Sequence, residues 1–177
     1  TVCDVCPGQE RVSFYEAPCG LGLLKGQSFS VQQTGMLHSI TLAVCSGLDS
    51  RLVIRTFNGT GSDWHEGDIL GEADAVLYAS GTISDCFTST NDFDSYVEHT
   101  FAFSDLGLAG GTTYIMHLIE GAAASGCTLT YAGGLAFGAT TAHPSQDLVF
   151  EVNHCPDATV VFGCTDVAAC NFNPDAA

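Results

Sequence analysis

Short runs in which apolar and polar residues alternate dominate this chain. The alternation is clearest in Ser28–Gln32 and in His38–Val44, where one side of each run is apolar and the other carries Ser, Thr or Gln. Successive side chains of a β-strand point to opposite faces of its sheet, so these runs predict strands that bury one side only. Apolar residues at helical spacing are almost absent.

The same pattern predicts about ten strands along the chain. Turn sequences such as Thr34-Gly35, Ser46-Gly47 and Ala109-Gly110-Gly111 separate them, and 20 glycines in 177 residues fit many tight turns. We therefore expect an all-β fold, an antiparallel β-sandwich of jelly-roll type. Only Asp68–Val76 could form a helical turn, and Gly71 weakens it. The predicted strands are Val12–Glu16, Gln27–Gln33, Leu37–Cys45, Arg51–Phe57, Ala75–Gly81, Val97–Phe103, Thr112–Glu120, Thr128–Tyr131, Asp147–Val152 and Thr159–Phe162.

The two ends of the chain differ in composition from its middle. Residues 1–26 contain three cysteines and two prolines around one predicted strand, which suggests a cross-linked strap lying over the sandwich. Residues 155–177 are rich in Cys, Asn, Asp and Pro, and we place a boundary near Cys155. The predicted organisation is an N-terminal strap at 1–26, a sandwich at 27–154 and a C-terminal segment at 155–177.

Charge excludes some classes of partner. The chain has 20 Asp and Glu against four Lys and Arg, giving a formal net charge of -16. A polyanion of this kind is repelled by nucleic-acid backbones and anionic lipids, so we expect neither as a partner. Polar residues and glycine interrupt every apolar run before it reaches the roughly 18 residues of a membrane-spanning helix.

Nine cysteines predict disulfide bonds and an oxidising, extracellular location. Cys3 and Cys6 form a C-x-x-C pair, but no second pair or His pair completes a zinc site. The odd number leaves one cysteine either free or paired outside this chain, and the pairing cannot be deduced from spacing. The cysteines are Cys3, Cys6, Cys19, Cys45, Cys86, Cys127, Cys155, Cys164 and Cys170.

The C-terminal segment resembles a known repeat. Gly163-Cys164-Thr165-Asp166 and the following Ala169-x-Asn171-Phe172-x-Pro174-x-Ala176 are similar to the Gly-Cys-Thr-Asp repeat of secreted and cell-surface proteins from Bacteroidetes-type bacteria. Phe172 stands where that repeat has Tyr, and the acidic second half of the repeat, which carries a further Cys, is missing. The resemblance implies secretion to a bacterial surface, and the missing Cys would be the natural partner of Cys164 or Cys170.

The middle of the chain resembles another group. Gly26–Phe29, Gly35–Val44, Leu52–Arg55, Leu106–Ile115 and Asp147–Phe150 are similar, in this order, to bacterial surface β-sandwich modules of the carbohydrate-binding-like group. Such modules are usually adhesive or binding appendages, so the resemblance implies a role without catalysis.

Candidate catalytic groups do not form a recognisable set. The acids Asp63, Glu66, Asp68, Asp92 and Asp94 fall in predicted loops, and no nucleophile, phosphate-loop or zinc-protease motif is present. His38, His99 and His117 are far apart in sequence, so we expect surface or hydrogen-bonded side chains rather than metal ligands. We predict that the chain is not an enzyme.

One loop offers an alternative function in carbohydrate binding. Sugar-binding sandwiches place an exposed indole against the apolar face of a pyranose, with polar neighbours bonding its hydroxyl groups. The single Trp lies in such a setting, although it can equally fold back to cover a sheet. The candidate glycan-binding residues are Asp63, Trp64, His65 and Glu66.

Calcium is the cofactor that the composition allows, because it prefers carboxylate and carbonyl oxygens and several loops concentrate them. Neither candidate loop matches an EF-hand, and solvated acidic loops are the alternative. The candidate ligands are Asp92, Asp94, Asp166, Asn171, Asn173 and Asp175.

Self-association is the partner interaction that we expect. An apolar strand at Thr159–Phe162 lies beyond the sandwich and can add to a sheet edge of another copy. Head-to-tail addition does not close on itself and generates a fibre. The main hypothesis is a non-catalytic structural or adhesive unit of a bacterial extracellular filament, with subunit contacts at Thr159, Val160, Val161, Phe162, Asn171 and Phe172.

Overall fold

The computed structural model describes residues 10–14, 21–45, 50–75, 96–119, 124–127 and 131–157, and the structural statements below concern these residues. They form thirteen strands and no helix, so none of them contributes a helix that could cross a membrane. The strands are β1 (Glu10–Phe14), β2 (Leu21–Leu24), β3 (Gly26–Ser30), β4 (Gly35–Cys45), β5 (Ser50–Thr56), β6 (Ile69–Ala75), β7 (Tyr96–Leu108), β8 (Thr113–Ile119), β9 (Ala124–Cys127), β10 (Ala136–Phe137), β11 (Ala142–His143), β12 (Asp147–Leu148) and β13 (Phe150–Pro156).

The strands are arranged in two antiparallel sheets. In the first, sheet A, β4 pairs with β13 on one side and β7 on the other, and β1 extends the sheet beyond β13. On the same side as β13, the short strand β9 also pairs with β4. The strands β12 and β2 in turn pair with β9 and complete sheet A. The second, sheet B, has the order β11-β10-β3-β8-β5-β6.

Strand order identifies the fold as a jelly roll. The longer strands give β1-β13-β4-β7 in sheet A and β3-β8-β5-β6 in sheet B. The chain crosses repeatedly between the sheets, so each sheet contains strands from both halves of the sequence, as in other jelly rolls. The predicted antiparallel β-sandwich is confirmed.

The core lies between the sheets and follows the period of two. In β8, Tyr114, Met116 and Leu118 are buried in the core, whereas Ile115 and His117 face the other side of sheet B. Sheet A supplies inward-facing residues of β4, β7 and β13 in the same way. The buried core residues of the longer strands include Phe29, Ile40, Leu42, Val44, Leu52, Ile54, Phe101, Tyr114, Met116, Leu118, Phe150 and Val152.

No helical turn forms at residues 68–75, where the sequence allowed one, because Ile69–Ala75 forms strand β6 beside β5. Gly71, which would weaken a helix, gives room in this strand for the core residue Leu106. A Cβ at Gly71 would lie 2.7 Å from Cδ2 of Leu106. This contact packs β6 of sheet B against β7 of sheet A.

The described parts of the N-terminal segment belong to sheet A. β1 pairs with β13 from Glu10 opposite His154 to Phe14 opposite Phe150, and β2 pairs with β9. β13 itself continues through Cys155 to Pro156. Most of the strands predicted at Ala75–Gly81 and Thr128–Tyr131, and all of Thr159–Phe162, lie outside the described residues.

A buried hydrogen-bond network connects the two sheets. The side chain of Gln27, in β3, donates from Nε2 to Oδ1 of Asp147 at 2.7 Å and accepts from the backbone N of Leu148 at 3.0 Å. The other carboxylate oxygen of Asp147 accepts from the backbone N of Tyr131 at 2.6 Å. Burial raises the pKa of Asp147, and these two hydrogen bonds oppose the rise. Every polar group of this pair therefore has a partner, as buried polar groups require.

Candidate functional site

The loop between β5 and β6 folds over the outer face of sheet B. Its ends are joined where the backbone N of Thr56 donates to the carbonyl of Asp68 at 3.0 Å and the N of Asp68 donates to the hydroxyl of Thr56 at 2.9 Å. Arg55 donates from Nη1 to the carbonyl of Gly67 at 3.0 Å. These bonds fix the base of the loop and direct its middle back across the sheet.

Trp64 is the residue by which this loop contacts the sheet. Its side chain is 1% exposed and forms a second apolar cluster with Ile115 and Phe137. The indole stacks on the ring of Phe137 with centroids 4.8 Å apart. It also lies against Gly26, where a Cβ would come within 2.5 Å of Cζ3 of Trp64. Only glycine at position 26 leaves room for the indole.

Two histidines complete an aromatic group around Trp64. His65 follows it in the loop, and His117 lies on β8 directly opposite Gly26. Ring centroids are 5.2 Å apart for Trp64 and His65, 4.8 Å for Trp64 and His117, and 5.5 Å for the two histidines. The three rings therefore touch one another pairwise. Arg55 lies on the neighbouring strand β5, paired with Ile115, two residues along β8 from His117.

We name Arg55, Trp64, His65 and His117 the Trp64 cluster. Each of these side chains has a nitrogen that is shielded from solvent and forms no hydrogen bond within the described part of the chain: Nε of Arg55, Nε1 of Trp64, Nδ1 of His65 and Nδ1 of His117. Most buried polar groups in folded proteins are paired, and each exception requires an explanation.

The electrostatic environment of the Trp64 cluster is positive. Burial makes the largest contribution to lowering the pKa of His117 to about 4, followed in order of size by the charges of Arg55, His65 and Lys25. Three of the four Lys and Arg residues, Lys25, Arg51 and Arg55, lie in or next to sheet B, and the fourth, Arg11, is in β1 of sheet A. In a chain with so few bases, this places most of the positive charge on one side of the sandwich.

The burial of Trp64 corrects the geometry expected for a glycan site. Asp63 and Glu66 are exposed and belong to a turn in which the backbone N of Glu66 donates to the carbonyl of Asp63 at 2.8 Å. The indole between them packs inward, because Gly26, Ile115 and Phe137 provide an apolar surface beneath it. No indole face is presented to solvent for stacking on a sugar.

The outer face of sheet A has a different character. A shallow depression of about 220 Å³ lies where β13 begins beside β4. It is lined by Glu98, Glu151 and the hydroxyl groups of Thr41 and Thr100, together with apolar neighbours. The two threonine hydroxyls are hydrogen-bonded to each other at 2.8 Å. No base lines this depression, so it can accept donors or cations but not anions.

The edge of sheet B carries the large hydrophobic side chains that the described residues leave exposed. Ile69 is 51% exposed and Leu70 is 37% exposed, both at the start of β6. Among the described strands β6 has one hydrogen-bonded neighbour, β5, and it ends sheet B. Its outer backbone groups therefore form an edge that another strand can pair with.

The remaining predicted site residues either do not form a common site or lie outside the described residues. His38 is exposed, and His99 packs edge-on against Phe101, with its pKa lowered by burial. Within the described ranges, no three His, Cys, Asp or Glu side chains come together as a metal site. Cys155 is disulfide-bonded, and the side chains of Cys45 and Cys127, at strand ends, are not described. The candidates outside the described residues are Asp92, Asp94, Thr159, Val160, Val161, Phe162, Asp166, Asn171, Phe172, Asn173, Asp175, Cys3, Cys6, Cys19, Cys86, Cys164 and Cys170.

Sequence reasoning missed Arg55 and treated His117 as an isolated side chain. Both residues occupy outward positions of strands that were predicted, and the alternation in β5 and β8 was a usable signal. What the pattern did not show was that residues 57–68 return over this face and bring Trp64 and His65 to it.

No protein-family model matches the chain, and no curated protein matches it in sequence.

Proposed function

We propose that this chain is a non-catalytic structural or adhesive unit of a bacterial extracellular surface assembly, and that copies of it join head to tail into a filament. The observation that carries the proposal is that β6 ends sheet B among the described strands, with Ile69 and Leu70 exposed. Natural β-proteins usually protect such edges with charges, bulges or covering segments. An apolar edge of this kind is suited to pairing with a strand from another chain.

The segment that we propose for this edge is Thr159–Phe162 of a second copy, which the sequence predicts to be a strand. Its sequence, Thr-Val-Val-Phe, combines β-branched and aromatic residues without charge, which is the composition of a stable strand. Because the edge and the added strand are different surfaces, each copy can receive one neighbour and supply another. Such heterologous contacts form open filaments.

Three further features support a structural role. The jelly-roll body has its core filled by side chains. Cys155 is disulfide-bonded, in keeping with an oxidising location outside the cell. The C-terminal segment resembles the Gly-Cys-Thr-Asp repeat of secreted bacterial proteins.

The test is a charge placed on the edge of the full chain. Ile69→Lys puts an ammonium group at β6, and Ser145→Lys puts the same group on an exposed loop between β11 and β12 as the matched control. We expect sedimentation velocity to show large assemblies for the unchanged chain and for Ser145→Lys, and monomers for Ile69→Lys, because a lysine on an edge strand opposes pairing.

Equal assembly of Ile69→Lys and the unchanged chain would remove β6 as the contact. A second substitution, Val160→Asp, tests the donor strand in the same assay and is expected to give monomers as well. Circular dichroism of each variant verifies that the sheets remain folded.

A further inference from the structure

The Trp64 cluster contains buried nitrogens that have no hydrogen-bond partner among the described residues, and at least two of them can only donate. Arg55 Nε and Trp64 Nε1 each carry a hydrogen and can only donate, and a neutral imidazole donates from one of its two nitrogens. All four of the nitrogens identified in this cluster are buried from solvent and unpaired among the described residues. Trp64 itself is 99% buried, since its exposed fraction is 1%. The group that completes these donors must therefore present oxygen acceptors.

The charge around the cluster selects an anion. Within the described residues no carboxylate pairs with Arg55, whose hydrogen bond from Nη1 goes to the backbone carbonyl of Gly67. Arg51, four residues earlier on the same strand, is paired with Glu72 at 3.4 Å. A metal cation bound between His65 and His117 would be repelled by Arg55 and Lys25, the same positive groups that disfavour protonation of His117. An oxyanion is attracted by both and accepts from several donors at once.

We propose that the Trp64 cluster binds an oxyanion, with Arg55 supplying the charge and Trp64, His65 and His117 supplying N–H donors. The ligand is a group such as a carboxylate, a phosphate or a sulfate. Arg55, His65 and His117 are each partly exposed, so the ligand enters from the solvent side. The β5–β6 loop beside them is exposed from Thr60 to Asp63.

The oxyanion has two possible sources, which share this chemistry. One is a free anion, and the other is a carboxylate of a second copy, since each copy carries 20 Asp and Glu. Binding of a free anion does not depend on filament formation. Anion binding at this site can therefore be tested separately from assembly through β6.

Trp64 is the single Trp of the chain and reports on its own cluster. Sulfate, phosphate and acetate are titrated separately into the full chain at constant ionic strength, and Trp fluorescence and the thermal midpoint are recorded. We expect a saturable change in emission and a rise in midpoint with at least one anion. Arg55→Gln should weaken the affinity about tenfold or more, because a charge-assisted hydrogen bond is lost.

The matched control is Arg51→Gln, which removes the same charge from the same strand outside the cluster. Arg51→Gln should bind the anion with the affinity of the unchanged chain. If Arg51→Gln weakens binding as much as Arg55→Gln does, the anion is attracted only by the general positive charge, and the proposed site is overturned. His65→Gln, in the loop, provides a second variant that leaves both sheets intact. It should also weaken binding, and unchanged binding in both Arg55→Gln and His65→Gln would overturn the proposal.

A dilution series without added anion separates the two sources. A Trp signal that changes with protein concentration in the unchanged chain, but not in Arg55→Gln, assigns the carboxylate to a second copy. A Trp signal that changes only when anion is added identifies the ligand as a free anion. Absence of any response in emission and in thermal midpoint, for every anion and concentration, contradicts the proposal even if filaments form.

Discussion

Two buried polar groups among the described residues differ in how many of their atoms form hydrogen bonds. In the core, Gln27 and Asp147 bind each other and the backbone across the two sheets. On the outer face of sheet B, Arg55, Trp64, His65 and His117 contact one another but leave a nitrogen each without a hydrogen bond. The first group is fully hydrogen-bonded within the described chain, whereas the second has four nitrogens that find no partner among the described residues.

This difference predicts that the two groups of residues have different roles, one in stability and the other in binding. A buried polar network in which every atom is paired makes the packing of the sheets specific, and removal of one member leaves the others unpaired. A cluster of unpaired donors costs free energy in the folded state and is retained where it serves another purpose. We therefore expect substitutions in the core network to act on unfolding, and substitutions in the Trp64 cluster to act on binding.

The largest expected effect is that of Gln27→Leu. Leucine fills a similar volume but leaves one oxygen of Asp147 and the backbone N of Leu148 without partners in the core. We expect the free energy of unfolding to fall by about 2–4 kcal/mol, because a buried carboxylate oxygen and a buried backbone N–H each lose a hydrogen-bond partner. Chemical denaturation measures it.

Gln146→Leu is the control for this substitution. Gln146 is half-buried near Asp147, and its hydrogen bond to His143 is made by its backbone N, which the substitution preserves. A change within about 0.5 kcal/mol is expected. Similar losses for the two variants would show that the network contributes nothing specific to stability.

A smaller loss is expected for Gly26→Ala. The added methyl group would lie 2.5 Å from Cζ3 of Trp64 and 2.9 Å from the backbone carbonyl of Met116, so the indole must move. We expect a destabilisation of about 1–3 kcal/mol, the usual cost of overpacking, together with a red shift of Trp emission.

Gly107→Ala is the control for Gly26→Ala. It lies in β7, and the nearest atom to its Cβ would be the sulfur of Met36 at 3.9 Å. Its emission spectrum should match that of the unchanged chain. An unshifted spectrum for Gly26→Ala would contradict the close packing of Trp64 on sheet B.

The smallest effect is the pH dependence that His117 contributes. Its pKa is about 4 in the folded protein, and that of an unfolded histidine is about 6.5. Below about pH 6.5 the unfolded chain binds a proton that the folded chain does not, so stability is lost as the pH falls towards 4. Because His117 is partly exposed and its charge interactions are screened, we expect a loss of about 1–2 kcal/mol.

The contribution of His117 is isolated by comparison with His117→Gln. Asp147, with its raised pKa, acts in the opposite direction at low pH and is present in both proteins. The difference in unfolding free energy between the two proteins should therefore change between pH 6.5 and 4. A constant difference across this range would contradict the low pKa of His117.

The strands were largely predictable because burial on one side imposes a period of two. The alternation in Ser28–Gln32 and His38–Val44 located β3 and β4, and β5 and β8 were found within one or two residues. β6 was misassigned because its sequence is short and mixed, and its contact with Leu106 comes from the other half of the chain. The local pattern of apolar and polar residues gives no information about a contact between such distant parts of the sequence.

The candidate sites were harder to predict for the same reason. Gln27 and Asp147 are 120 residues apart, and neither stands out in its own strand. Trp64 was identified as a candidate, but its inward orientation depends on Gly26, a residue that sequence alone indicates only as a turn or strand boundary. Pairings set by topology cannot be derived from periodicity.

The proposed head-to-tail assembly is tested most directly by electron microscopy of the purified full chain, with Ile69→Lys beside it on the same grids. We predict unbranched fibres for the unchanged chain and dispersed particles of single-subunit size for the variant. Dispersed single subunits for the unchanged chain at every concentration, or identical fibres for both proteins, would contradict assembly through the edge of sheet B.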